Sequence, residues 1–160
     1  MLKILFKEEQ QFTQWWLWLL LIGIGIISLF GVYNQLILGK EFGSNPMSNL
    51  GIIIFSGITY LIIGLIKIIK LKTEISKTEC KLKFFPFLFK TVNWIDVVSV
   101  EVVDYGFVGG WGIRKWTSYG TVYNIKGKMG LAIVLKDKSK FLIGTQKEND
   151  LKDIIKKITL

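Results

Sequence analysis

Histidine is absent from this 160-residue sequence, and cysteine, arginine and alanine each occur once. Histidine is the commonest general base at neutral pH and a frequent metal ligand, so its absence argues against most acid–base and metal chemistry. A single cysteine excludes a disulfide within the chain. Cys80 alternates with lysines, a pattern typical of a buried strand residue; a nucleophilic thiol would need a basic partner. We expect no metal and no cofactor.

Other catalytic patterns are equally scarce. The carboxylates Asp96, Glu101 and Asp104 are close in sequence, but no second reactive cluster accompanies them, so solvated strand edges are favoured over an acid–base pair. Gly127-Lys128 lacks the remainder of a phosphate-binding loop, and Gly110-x-Gly112 lacks the third glycine of a dinucleotide-binding fingerprint. The sequence therefore predicts a protein that is not an enzyme.

Two long hydrophobic runs are present instead. Residues 50–69 contain one charge, Lys67, and at about 1.5 Å per residue they match the roughly 30 Å of a bilayer core. The first run opens with three tryptophans at residues 15–18 and is too long for a signal peptide. We predict a transmembrane hairpin over residues 15–69, with helices at about 15–37 and 46–69, the second one capped by Asn45 and started by Pro46.

Glycine within the second run has two interpretations. Gly57 and Gly64 are seven residues apart, almost on one helical face, and small residues there let membrane helices approach closely. Glycine is also commoner in membrane helices than in soluble ones, with no packing role implied. The sequence leaves both open.

Positive charge is concentrated after the second run. Residues 67–160 hold eighteen Lys and Arg against nine Asp and Glu, which accounts for the whole net charge of +9. The positive-inside rule therefore predicts an inner-membrane protein with both termini in the cytoplasm. We interpret six lysines as a basic surface that faces the membrane and attracts anionic headgroups: Lys67, Lys70, Lys72, Lys77, Lys81 and Lys83.

The remainder of the chain has the pattern of a folded domain. Segments from residue 70 onward alternate between apolar and polar residues, as half-buried strands do. Thr145 and Glu148 have the spacing of a capping box, which predicts an amphipathic helix over residues 146–158. About seven strands closed by one C-terminal helix is the order of a pleckstrin-homology (PH)-like β-barrel. We predict a membrane-anchored α+β protein with this cytoplasmic domain at residues 70–160 and an interfacial cytoplasmic segment at residues 1–14.

Most of the chain also resembles a family of small, uncharacterised bacterial membrane proteins with a two-helix transmembrane anchor and a C-terminal PH-like domain. The likeness extends over the lead-in from Phe6 to Trp18, the Gly43-Ser44-Asn45-Pro46 turn and three motifs: Gly109-Gly110-Trp111-Gly112-Ile113-Arg114, Tyr123-Asn124-Ile125-Lys126-Gly127 and Ile143-Gly144-Thr145-Gln146-Lys147. The resemblance implies the same architecture. It implies no reaction, because such proteins lack an assigned one and PH-like folds have many binding roles.

One region is unusually rich in glycine and aromatic residues. Residues 105–130 contain seven glycines, six aromatic residues and the only arginine. Tryptophan and arginine dominate binding hot spots, so we select four residues as a candidate interaction surface: Trp111, Arg114, Lys115 and Trp116. The alternative is structural, with glycine in turns, arginine stacked on tryptophan, and tryptophan in the core of a small barrel. For Trp111 we favour the core.

The sequence thus predicts a non-enzymatic membrane protein that presents a PH-like module in the cytoplasm. Its expected partners are the lipid bilayer, a protein or a second copy of the chain, and anionic headgroups. The alternative is an accessory subunit of a larger membrane complex, in which the hairpin makes the main contacts. Nucleic acid is not expected, because a membrane-tethered domain without a binding motif gives positive charge a nearer partner in lipid.

Overall fold

The computed structural model describes residues 3–159 and shows an α+β protein with two compact units. Residues 13–68 form a helical unit, and the residues before and after them form a β-rich domain. The three α-helices, α1 to α3, are Trp15–Val32, Asn49–Ile68 and Glu148–Thr159. The strands β1 to β9 are Ile4–Gln11, Lys70–Ser76, Glu79–Phe85, Leu88–Asn93, Val97–Asp104, Gly112–Thr117, Gly120–Asn124, Met129–Leu135 and Lys140–Thr145.

Both expected apolar helices are present. A π-helical segment, Tyr33–Ile37, extends α1, so the first apolar helix covers Trp15–Ile37. Each of the two helices is long and apolar enough to cross a membrane. In the most apolar 18-residue stretch of each helix, only 22% of the first helix and 11% of the second is buried. Most apolar side chains of the helical unit are therefore exposed. Exposure on this scale is typical of helices that contact lipid or protein.

The second helix begins later than the sequence predicts. α2 starts at Asn49, and the Ser48 hydroxyl oxygen accepts a hydrogen bond from the Gly51 N–H at 3.1 Å. Serine is a favoured N-cap because it satisfies one of the free N–H groups of the first turn. Asn45 and Pro46 lie in the preceding loop, so the expected cap is wrong by three residues.

The glycines that let the two helices approach each other closely belong to α1. The Tyr60 hydroxyl donates to the Gly25 carbonyl at 2.8 Å, and a Cβ at Gly31 would collide with side chains across the contact. Nothing lies within 4 Å of the position that a Cβ would take at Gly57 or Gly64. The packing role considered for those two glycines is therefore wrong, because they lie on a face of α2 that contacts no neighbour in the described helical unit.

The first sheet contains β1, β2, β3 and β4 in that order, with all neighbours antiparallel. Residues 4–11, expected within an interfacial segment, instead pair with β2 from Ile4–Ser76 to Gln11–Lys70. Alternation explains why they form a strand: Phe6, Glu8 and Gln10 are buried, whereas the residues between them are exposed.

The second sheet has the order β5-β8-β9-β7-β6. Its neighbours are antiparallel except for β7 and β9, which run parallel. Buried residues of both sheets form one core with the helix α3, which contributes Leu151 and Ile155. The domain is thus two sheets with a helix packed against β5 and β1.

The predicted PH-like barrel is wrong. In residues 3–159 the strands form two separate sheets of four and five strands, and neither sheet closes on itself. Two features cause the difference. β1 adds a strand that the sequence pattern did not predict, and the short 3₁₀ turn Trp94–Asp96 takes the chain from β4 to a different sheet.

The C-terminal helix is present, without the expected capping box. α3 begins at Glu148, whose carboxylate pairs with Lys152 at 2.6 Å. The Thr145 hydroxyl accepts a hydrogen bond from the Lys147 N–H at 3.0 Å and donates one to the Glu8 carboxylate at 2.6 Å. A residue distant in sequence therefore replaces the predicted local partner.

Glu8 connects the two sheets from the inside of the domain. Its carboxylate accepts from the Thr145 hydroxyl and from the Gln146 N–H at 2.7 Å, and its exposed fraction is 5%. Two positions along β1, the Gln10 amide donates to the Gly144 carbonyl at 2.8 Å. These bonds join the inner face of β1 to the end of β9, where α3 begins.

We predict that Glu8→Ala destabilises the β-rich domain far more than Glu9→Ala. The first change leaves the buried Thr145 hydroxyl and the partly buried Gln146 N–H without their acceptor, and an unsatisfied buried donor costs about 1–3 kcal/mol. Glu9, by contrast, lies on the exposed face of the same strand. Urea unfolding of the full chain in detergent, followed by near-ultraviolet circular dichroism, measures both. Equal losses would contradict the assignment of β1 to the sheet.

Candidate interaction site

β6 lies at one edge of the second sheet, beside β7. Its pairing runs from Gly112–Asn124 to Arg114–Val122 and resumes at Thr117–Gly120. The register shift places Lys115 and Trp116 in a bulge of the edge strand. Bulges at sheet edges redirect side chains and interrupt the row of groups that would otherwise pair with another strand.

Trp116 is the most exposed aromatic residue of the described domain. Its side chain is 96% exposed, and its backbone is left-handed with φ of 58°. Glycine adopts this conformation freely, whereas a bulky residue adopts it at a cost of about 1–2 kcal/mol. The domain therefore holds a large apolar side chain in water on a strained backbone, a combination that is common at functional sites.

The loop before β6 packs against the second sheet through some of its residues and exposes others to solvent. Tyr105 and Val108 join a small apolar cluster with Val122 and Leu142 on the outer side of the second sheet. The Tyr105 hydroxyl donates to the Gly127 carbonyl at 3.0 Å, and burial raises the pKa of Tyr105. Loop residue Phe107, by contrast, is 85% exposed. The glycine- and aromatic-rich region is thus partly structural and partly surface.

Arg114 is held between the loop and the strand. It is half-buried, and its guanidinium lies so close to Gly110 that a Cβ there would collide with Nη2. Gly110 is left-handed as well, with φ of 123°. Within the described residues, 3–159, the Arg114 Nε is buried and has no hydrogen-bond partner.

The structure thus brings the four candidate residues onto one edge strand and its preceding loop. Lys115 and Trp116 are exposed in the bulge, and Arg114 lies one residue before them. Trp111 is 37% exposed and belongs to neither core cluster, so the core position favoured for it is wrong. Phe107 was not selected from the sequence; a phenylalanine flanked by glycines at 106 and 109–110 was the available signal.

The six lysines of the predicted basic surface are dispersed, and three of them form ion pairs. Glu9 lies between Lys70 and Lys72, with both Nζ atoms 2.8 Å from its carboxylate, and Lys81 pairs with Glu79 at 2.7 Å. The remaining three of the six lie at different places: Lys67 is in the last turn of α2, Lys77 follows β2, and Lys83 is on β3. Lys70 and Lys77 are at opposite ends of β2, about 20 Å apart. The paired lysines have part of their charge neutralised.

The metal-ligand residues, the single thiol and one cleft of the described domain can each be placed. Residues 3–159 contain no group of three or more His, Cys, Asp or Glu residues that could hold a metal ion. Cys80 is buried as its alternation predicts, and burial raises the pKa of its thiol to about 12, so a reactive thiolate does not form at neutral pH. A cleft of about 390 Å³ beside β5 and α3 has no titratable lining; it is formed by Trp94, Val97, Val98, Ser99, Val100 and Ile158.

Compared with protein-family models, with curated proteins and with solved structures, the chain matches none. The function must therefore be inferred from the helices and from the geometry of the β6 edge.

We expect acid to weaken the pairing of β1 with β2, because it protonates the Glu9 carboxylate that binds two lysines of β2. Hydrogen bonds from Lys70 and Lys72 lower the pKa of Glu9 from 4.5 to about 2. A carboxylate with a depressed folded-state pKa stabilises the fold above its unfolded pKa, and this contribution is lost as the pH falls from about 4.5 to 2. Because the Glu9 side chain is 35% exposed, solvent screening limits the effect to about 1 kcal/mol.

We predict that Glu9→Gln flattens the fall in unfolding free energy between about pH 5 and 2. Urea unfolding of the full chain in detergent across this range measures the change. Glu101→Gln, which removes an exposed carboxyl from the other sheet, is the matched control. Equal flattening by both variants would show that the ion pairs of Glu9 contribute nothing specific.

Proposed function

We propose that this chain is a two-span protein of the inner membrane, without enzymatic activity, that holds a recognition domain in the cytoplasm and binds a protein partner at the β6 edge. The main support for the binding site is Trp116, which is 96% exposed and has a left-handed backbone. The apolar helices support the membrane part of the proposal, and the edge-strand geometry supports the recognition part.

The pairing of β1 with β2 supports the hairpin topology. β1 precedes α1 and β2 follows α2, and the two strands pair over Ile4–Gln11 and Lys70–Ser76. Strands cannot pair with each other across a bilayer, so both ends of a spanning helix pair must emerge on one side. The lysine excess after α2 favours the cytoplasmic side.

We predict that reporters fused at the N-terminus and at the C-terminus both locate the fused terminus in the cytoplasm. A pair of reporters, one active only in the cytoplasm and one only outside it, makes the measurement. Termini on opposite sides would contradict the hairpin. Both termini outside would leave the hairpin intact and overturn the orientation alone.

A protein surface is the partner that the β6 edge fits best. Tryptophan and arginine carry much of the binding energy at protein interfaces, where an indole fills an apolar pocket and a guanidinium donates to carbonyls or carboxylates. Trp116 and Phe107 supply exposed aromatic surface, and the half-buried Arg114, two residues before Trp116, supplies a positive charge. Fixing the Trp116 backbone before binding lowers the entropy lost on association.

Anionic headgroups are a second candidate partner, supported by the charge excess of residues 67–160. The ion pairs of Lys70, Lys72 and Lys81 reduce the expected contribution of the basic surface. Under this alternative, binding would fall with salt and would not depend on Trp116.

We predict that Trp116→Gly abolishes partner binding without destabilising the domain. Glycine tolerates the left-handed backbone, so the free energy of unfolding should stay level or rise by up to about 1 kcal/mol. A structural tryptophan would give the opposite result, because its removal would cost packing energy. Urea unfolding of the full chain in detergent measures this stability change.

A photoreactive residue in place of Lys115, which leaves Trp116 intact, tests binding in the native membrane. We expect a specific adduct from position 115 and none from position 95, where Ile95 is 74% exposed beside the other edge strand. Adducts only from a position in α1, such as Leu19, would favour an accessory subunit whose hairpin makes the contacts. Equal labelling from positions 95 and 115 would contradict a site at the β6 edge.

A further inference from the structure

Three phenylalanines lie exposed at and beside the turn between β3 and β4. Phe85, Phe87 and Phe89 are 42%, 58% and 62% exposed, although large apolar side chains are usually buried in a folded domain. We call residues 85–87 the phenylalanine tip. The Phe87 N–H donates to the Phe84 carbonyl at 2.8 Å, and the Phe87 ring centroid lies 6.4 Å from that of buried Phe84. The tip is therefore a fixed turn anchored to the core.

Strand register places the tip at one particular end of the first sheet. Gln11 pairs with Lys70, and Lys70 pairs with Phe85, so these three residues form one row across β1, β2 and β3. β1 ends and β2 begins in this row. The same end of the sheet therefore holds the tip and both connections of the domain to the apolar helices.

The connections are short. Lys70 is two residues beyond Ile68, the last residue of α2, so their Cα atoms are within about 8 Å whatever direction the chain takes. Phe85 lies opposite Lys70, about 5 Å away. The tip thus lies in a row of the first sheet that only one residue, Ile69, separates from α2 along the chain. The headgroup layer beyond a hydrocarbon core is about 5–8 Å thick.

Lysines flank the tip. Lys83 Nζ lies 5.6 Å from the centroid of the Phe85 ring. Lys70, whose Nζ also pairs with the Glu9 carboxylate at 2.8 Å, is the register neighbour of Phe85. Apolar aromatic side chains with adjacent lysines are typical of segments that lie in the membrane interface, where rings enter the boundary of the acyl chains and ammonium groups stay at the headgroups.

We infer that the phenylalanine tip inserts into the headgroup layer of the membrane that α1 and α2 span, as a third attachment of the domain. The inference rests on the spanning helices of the proposed function and is independent of the β6 edge. Insertion by apolar rings requires no anionic lipid, which separates it from attraction by the basic surface.

Single-cysteine labelling of the full chain in neutral phosphatidylcholine vesicles tests the inference. Cys80 is buried and its pKa is raised to about 12, so a thiol-reactive fluorophore selects an introduced cysteine, and the parent chain reports any background. We place labels at Phe87→Cys, at Lys77→Cys at the opposite end of the first sheet, and at the 85% exposed Phe107→Cys. Ile58→Cys, on the exposed surface of α2, reports whether the helices span.

We expect a water-soluble quencher to act several-fold more weakly on the Phe87→Cys label than on the labels at positions 77 and 107. A lipid-attached quencher should show the reverse order, and neither result should change with salt. Equal access of the soluble quencher to positions 87, 77 and 107 would overturn the inference. Protection of both 87 and 77 would also overturn it, because the whole sheet face, not the tip, would then contact the membrane.

The label at position 58 separates this failure from failure of the proposed function. If the helices span, Ile58→Cys is protected from the soluble quencher and quenched by lipid. Protection at 58 with free access at 87 rejects the tip alone. Free access at 58 rejects the spanning helices, and with them the basis for the tip.

Discussion

The pairing of β1 with β2 is the constraint on which the rest of the structure depends. These strands are neighbours in the first sheet, yet the complete helical unit separates them in sequence. On one face of β1, Glu8 and Gln10 reach the second sheet; on the other, Glu9 binds two lysines of β2. A single strand thus joins the two sheets and fixes the start of α3.

Hydrophobic periodicity in the sequence predicted those helices and strands whose burial depends on neighbouring residues in the chain. The two apolar runs became helices, Cys80 alternates on a buried strand, and the stripe that includes Leu151 and Ile155 became the core face of α3. β1 was not predicted because its buried face contains Glu8 and Gln10. Side chains of these types are expected in solvent unless their buried hydrogen-bond partners are known. Those partners lie more than 130 positions away, beyond the reach of any periodicity argument.

The same limit applies to the candidate site. Composition drew attention to the segment that includes Arg114 and Trp116, but it could not divide that segment into structural and exposed residues. Tyr105 is buried by a loop that folds over the sheet, and Trp116 is exposed by a register shift; both depend on strand pairing. The ion pairs of Glu9 also follow from register, so the distribution of lysines along the sequence overstated the free positive charge.

The order of synthesis gives the β1–β2 pair a further consequence. About 60 residues separate the two strands, so at 5–20 residues per second β1 leaves the ribosome roughly 3–12 s before its partner exists. During that interval its polar run, from Lys7 to Gln11, opposes both aggregation and entry into the bilayer. In the two-span arrangement that we propose, the first sheet can close only after both helices have entered the membrane with their ends on one side. Completion of the domain would then report correct insertion, and a chain with one span misplaced would be left with an open sheet edge for quality-control proteases to recognise.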